Sequence, residues 1–142
     1  MNSKVSIFVS SWNDKNHLKN CLDSIFQNNY KNFEIIIVDN GSSDGSVEFI
    51  KSLKGKVRAI FNKKNLGLIK ATNQGASIAN GDFILFLAQD NVIDKNMINN
   101  LLELFKKDKK IGIISPKIFY LQDSNRVWFY GAKINFFTSR FH

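Results

Sequence analysis

Three polar segments carry the residue types best able to do chemistry, and each closes an apolar run. Ser10-Ser11-Trp12-Asn13-Asp14 follows residues 5–9, Asp39-Asn40-Gly41-Ser42-Ser43-Asp44-Gly45 follows 33–38, and Gln89-Asp90-Asn91 follows 82–88. A carboxylate so placed can accept hydrogen bonds from ribose hydroxyls or a base N–H, and one beside a pyrophosphate can help hold the metal that neutralises it. Asp39 suits the first task and Asp90 the second. The plainer alternative is local: Asp39 with Asn40-Gly41 forms an Asx turn, Ser43 or Asp44 caps the next helix, Asp90 is an ordinary turn residue and Asp94 is a cap. Residue type and spacing leave both readings open.

The elements needed to position these loops are legible in the hydrophobic pattern. Val5 to Val9 reads as a strand, and from an N-cap at Asn13 or Asp14 the apolar residues Leu18, Cys21, Leu22, Ile25 and Phe26 recur on one helical face. Phe33 to Val38 is a second strand, followed by helical spacing at Val47, Ile50 and Leu53. A third strand spans Val57 to Phe61, before a helix rich in small residues: Ala71, Thr72, Gly75, Ala76 and Ala79. The near-continuous apolar run 82–88 predicts a strand buried on both faces, and Met97, Ile98, Leu101, Leu102 and Phe105 predict an amphipathic helix capped by Asp94. Further strands are expected at Ile111 to Ser115 and Val127 to Tyr130. Alternating strands and helices imply an α/β fold with a mostly parallel sheet and helices on both faces, because parallel neighbours need helical crossovers. Ligands of such sheets bind beyond the carboxyl ends of the strands, where all three polar segments fall.

Composition narrows the classes. At 142 residues and 44% hydrophobic content the chain fits one domain, 1–142, with a real core, and its only proline is Pro116. No apolar stretch is long enough to span a bilayer and no signal pattern opens the chain, so a soluble cytoplasmic protein is expected. A single cysteine, Cys21, on an apolar helix face is expected in the core. A net charge of +8 favours anionic partners. The densest basic run, Lys106-Lys107-Asp108-Lys109-Lys110, reads first as a solvated helix end that complements the dipole, and second as a membrane or polyanion contact. No G-x-G-x-x-G follows the first strand, which disfavours a dinucleotide-dependent oxidoreductase, and the lysines do not interleave with aromatics as in nucleic-acid modules.

Several separated motifs together resemble the family 2 glycosyltransferases with the GT-A fold, a Rossmann-like three-layer α/β/α arrangement. The opening VSIFVSSWND resembles their first strand and "TYN" loop, and IIIVDNGSSDGS, residues 35–46, matches their most recognisable motif. Residues 65–90, NLGLIKATNQGASIANGDFILFLAQD, resemble the stretch from the "N-x-G" loop to the metal-binding aspartate, while IGIISPKIFY and RVWFYGAKI resemble the rhamnosyltransferase-like branch. The resemblance implies binding of a nucleoside-diphosphate sugar with Mg or Mn for inverting transfer to a saccharide or lipid-linked acceptor in polysaccharide biosynthesis. It further implies that Ser11 and Trp12 border the base, Asp39 bonds the base or ribose, Asp44 supports that pocket, Asn65, Gly67 and Asn73 shape the donor site, and Asp90 holds the metal.

Two departures from the family pattern matter. Its frequent Asp-x-Asp has Ala88 in the first position here, leaving Asp90 as the motif's only carboxylate. The family's general base lies in a later half of the domain, beyond the last matched segment, so the chain is expected to be a truncated donor half that binds without transferring on its own. Neither His17 nor His142 has motif support as a substitute. The alternative is a non-catalytic nucleotide-sugar-binding module that needs a partner chain. Peripheral association with the inner face of the membrane, and a homodimer through the aromatic-rich 136–141, complete the expectations.

Overall fold

A computed structural model of the chain describes residues 3–132, together with the backbone of 134–135 and 140–141. It divides into two compact units, Met1–Lys95 and Asn96–His142. The first unit alternates strand and helix: β1 Val5–Ser11, α1 Lys15–Phe26, β2 Phe33–Asp39, α2 Ser46–Ser52, β3 Arg58–Phe61, α3 Leu68–Ser77 and β4 Phe83–Ala88. All four strands are parallel, in the order β3-β2-β1-β4. Apolar residues at helical spacing build α1, whose buried face is Leu18, Cys21, Leu22 and Ile25, and Asp14 closes its amino end by accepting from the His17 N–H. The cysteine is core, as the pattern predicts.

In-register pairing puts Phe8 beside both Ile36 and Phe86, so alternate residues of neighbouring strands share a face. On that face α3 packs against Phe8, Val38 and Ile60 through Ala71. Gly75 explains the helix's small residues, because a Cβ there would lie 2.2 Å from the Phe8 ring. The opposite face, with Val5, Ile7, Val9, Ile35 and Ile37 buried, is left to the apolar sides of α1 and α2. The run 82–88 departs from its expected double burial: Ile84 and Phe86 are exposed. The reason is position, since β4 is the sheet's edge and α3 covers β1 and β2 instead. Phe86 keeps an edge-to-face contact with Phe8, the ring centroids 5.8 Å apart.

At the amino-terminal edge of the sheet, Glu34 is held by a polar cluster. Its carboxylate accepts from Ser6 Oγ at 2.7 Å, the Asn80 N–H at 2.8 Å and Arg58 at 3.2 Å, with Lys4 at 3.5 Å. Burial alone would raise its pKa, but hydrogen bonds from Ser6, Asn80 and Arg58 and the charge of Lys4 outweigh it and hold the carboxyl at about 2. A folded pKa below the ordinary 4.5 gives stability that is complete at neutral pH and is lost as pH falls toward 2. Because its partners Lys4 and Arg58 are partly exposed and screened, Glu34→Gln should cost less than the full shift, about 2 kcal/mol at pH 7. Urea melts should show the gap between variant and wild type closing near pH 2. A gap that does not change with pH would contradict this.

In the second unit, α4 Met97–Lys107 carries the expected amphipathic pattern and ends on Lys106 and Lys107. Lys106 lies 2.6 Å from Glu103, an exposed pair that fits the solvated-helix-end reading of the basic run. Its N-cap is Asn96, not Asp94. Residues 111–115 form no strand, and Ile113 is almost fully exposed. Pairing begins only after Pro116, with β5 Ile118–Tyr120 antiparallel to β6 Asp123–Phe129. Proline has no N–H to give a ladder, so the hairpin starts beyond it. A two-stranded pair, β7 Ile134–Asn135 and β8 Arg140–Phe141, follows. The remaining residues of the aromatic-rich 136–141, all its side chains, and His142 lie outside the described residues. No helix among the described residues is long and apolar enough to cross a membrane.

Candidate functional site

In the strand order β3-β2-β1-β4, the chain runs one way from β1 to reach β2 and β3, and β4 lies on β1's other side. The loops after β1 and β4 therefore part, leaving a crevice beyond their carboxyl ends. An open cleft of about 440 Å³ occupies that place, lined by Ser10, Ser11, Trp12, Asn40, Ala88, Gln89 and Asp90, with Asp14 and His17 at the start of α1 and Asn65 and Leu68 before and in α3. The structure thus brings together Ser11, Trp12, Asn65 and Asp90.

The two sides of the crevice are tied by one side chain that sequence reasoning missed. Gln89 Oε1 accepts from the Trp12 N–H at 2.8 Å, and its Nε2 donates to the Trp12 carbonyl at 3.0 Å. An amide so placed imitates the rung of a strand ladder and fixes the Trp12 backbone while the indole stays half exposed. Gln89→Ala should speed hydrogen exchange at the Trp12 amide about tenfold, the effect of losing one net hydrogen bond of ordinary strength. An unchanged rate would mean that the clamp is not formed in solution.

Asp39 sits behind the cleft rather than on its wall. It is fully buried, with Oδ1 accepting from the N–H groups of Gly41 (3.1 Å) and Ser42 (2.9 Å), and Oδ2 from the hydroxyls of Ser42 (2.6 Å) and Ser11 (3.3 Å). A carboxylate has about four lone-pair positions, so its capacity is filled from within. The Asx-turn alternative is therefore present in the geometry. Asn13 extends the same lattice: its N–H donates to Ser42 Oγ and its Oδ1 accepts from the Ser43 N–H, which joins the first loop to the second. Gly41 is required here, with φ of 80° and a would-be Cβ 2.8 Å from the Lys64 backbone.

Asp44 supports the region from outside. It accepts from the Lys15 N–H at 2.8 Å and from the Ser46 hydroxyl and N–H at 2.6 and 3.1 Å, and the Ser46 hydroxyl is the leading cause of its lowered pKa. It thereby ties the start of α1 to the start of α2. Asn65 Oδ1 accepts from the Gly67 N–H at 2.8 Å, and Gly67, with φ of 82°, turns the chain into α3. Gly67 has open space around it, so its glycine serves the turn and not close packing. Asn73 is exposed on α3 and does not line the cleft. Asn40, Asn62 and Gln74 form an amide network of 2.9 Å bonds beneath the cleft floor, also unforeseen.

Asp90 is exposed on the cleft wall, its Oδ1 accepting weakly from Asn91 Nδ2 at 3.3 Å. Its charge adds to burial in pushing the neighbouring Cys21 thiol up to about 12, with burial the larger cause. Among the described residues no three His, Cys, Asp or Glu side chains cluster as metal ligands. One free carboxylate suits a hard cation that takes its other oxygens from a ligand and water, and does not make an all-protein site.

Comparison with known proteins accords with this geometry. The model of glycosyl transferase family 2 matches residues 6–141. The chain is 29% identical over 133 residues to glycosyltransferase GlyG of Streptococcus pneumoniae, covering 92% of this chain and 44% of that one. It is 30% identical over 118 residues to the poly-β-1,6-N-acetyl-D-glucosamine synthase of Staphylococcus aureus, covering 80% and 29%. The chain thus spans less than half the length of these relatives. Among solved structures, the mannosyltransferase PcManGT of Pyrobaculum calidifontis, in complex with GDP-Man and Mn2+, superposes with a TM-score of 0.73 over 85% of this chain and 37% of its own at 19% identity. S. aureus TarS with UDP-GlcNAc superposes with a TM-score of 0.67 over 73% and 31% at 23% identity. These structures share the α/β fold, and the chain belongs to glycosyl transferase family 2.

Proposed function

We propose that this chain forms the donor-binding part of a glycosyltransferase that takes a nucleoside-diphosphate sugar, with a Mg or Mn ion that Asp90 would help hold, for inverting transfer to a saccharide or lipid-linked acceptor. The observation that carries the reading is the cleft at the β1/β4 switch point of a family 2 chain, with Trp12 on one wall and Asp90 on the other. The indole offers a flat apolar surface for a base, and Ser11 and Asn65 line the same space. Asp39 acts through Ser11 and the 41–42 turn, and reaches a ribose or base directly only if the Ser42 hydroxyl gives way. Asp44 holds the helix starts that frame the pocket, Gly67 orients Asn65, and Asn73 lies outside the first contacts.

A bound divalent ion would neutralise the departing diphosphate; the chain's own task is to hold and orient it. The complexes of PcManGT with GDP-Man and Mn2+ and of TarS with UDP-GlcNAc support a nucleotide-sugar donor. The net charge of +8 supports a place beside the anionic inner face of the membrane. Calorimetry with UDP, TDP and GDP against their nucleosides tests the reading. At least one diphosphate should bind about tenfold or more tighter than its nucleoside. If no diphosphate binds, the proposal fails.

A further inference from the structure

The cleft has a charge imbalance that points to one residue without a role so far. Of its lining side chains, Asp14 and Asp90 are acidic, and His17 is the only one that can carry positive charge. Asp14 orients that imidazole: its Oδ1 accepts from the His17 N–H at 3.1 Å and its Oδ2 lies 2.6 Å from His17 Nδ1. The Asp14 carboxyl is held below its usual range chiefly by the backbone N–H of His17, then by the ring, so it is an acceptor and Nδ1 must be the donor. That leaves Nε2 as the ring's second polar atom. In the neutral ring Nε2 is a lone pair that would repel a phosphate oxygen; in the protonated ring it is an N–H that would bond one.

Resting on the donor-binding reading, we propose that His17, oriented by Asp14, is a diphosphate-binding residue of the cleft whose protonated ring donates from Nε2 to the nucleotide sugar. The charged groups around it are Asp14 at its own helix start, Asp44 and Lys15 where the second loop meets α1, and Asp90 across the cleft from the β4 loop. A sugar diphosphate brings two negative charges into this acidic surround, so a cation on the α1 side complements the metal on the Asp90 side. His17 is half exposed on the first turn of α1.

The test is binding of UDP-GlcNAc and GDP-mannose at saturating Mg2+ from pH 5.5 to 8.5. The diphosphate of a nucleotide sugar is a diester with no proton to lose in that window. Wild type should lose affinity about tenfold as pH rises, the worth of one charge-assisted hydrogen bond at its lower end. His17→Gln, whose amide does not titrate, should stay flat within about twofold across the range. Asp14→Asn keeps a capping oxygen for the helix but replaces the oxygen that accepts from the ring, so the ring loses its orientation and the pH dependence should weaken. A wild-type profile that is flat, or that His17→Gln or Asp14→Asn leaves unchanged, overturns the assignment. If neither nucleotide sugar, nor a TDP-sugar in their place, binds wild type at any pH, the donor-binding reading itself fails, and this inference with it.

Discussion

Asp39→Ala should destabilise the first unit by about 3 to 5 kcal/mol, because four donors lose a buried acceptor at once. The Gly41 and Ser42 N–H groups cannot turn to find another partner, while the Ser11 and Ser42 hydroxyls can rotate. Asp39→Asn should therefore cost less, about 1 to 2 kcal/mol, since its amide oxygen still serves the two N–H groups. The backbone around Asp39 adds to the effect: its carbonyl accepts from Asn62 N–H, and the β1–β2 ladder ends at the Ser11–Asp39 pair. Both variants should also weaken nucleotide binding, through displacement of Ser11 and the 41–42 turn. Urea denaturation at neutral pH reads the first effect. An alanine variant within about 1 kcal/mol of wild type would show that the turn does not depend on this carboxylate.

Much of the fold was legible because its signals are local. The spacing of Leu18, Cys21, Leu22 and Ile25 specifies the buried face of α1, and the apolar runs before Asp39 and Asp90 specify β2 and β4. What failed depends on neighbours. The run 83–88 looks the same whether the strand is central or at an edge, so the exposure of Ile84 and Phe86 could not be read from it. Likewise 111–115 has strand composition, yet ordered pairing waits until after Pro116. For the site, the loops were legible from their places after strands, whereas the uses of their side chains were not. Gln89 reaches Trp12 across 77 residues, and Asp39 faces inward because Ser11, Gly41 and Ser42 fill its bonds. Neither fact has a signature in residue type.

Asp90→Asn should abolish most of the metal dependence of donor binding while leaving the fold intact, because the side chain is exposed and its one weak bond, from Asn91, is dispensable. Losing the carboxylate that would hold the ion should cut Mn2+ affinity in the ternary complex by about 10- to 100-fold. The decisive measurement is Mn2+ binding followed by electron paramagnetic resonance, with and without UDP or GDP, in wild type and Asp90→Asn. Free wild-type protein should take up Mn2+ only weakly, with Kd near or above about 1 mM, since one carboxylate makes a poor site. Adding the nucleoside diphosphate that binds should create a site at least about tenfold tighter than Mn2+ shows for the nucleotide alone, and the Asn variant should lose it. Tight Mn2+ binding to the nucleotide-free protein, or a ternary site that Asp90→Asn leaves untouched, would contradict a donor cleft whose metal is held between Asp90 and the diphosphate.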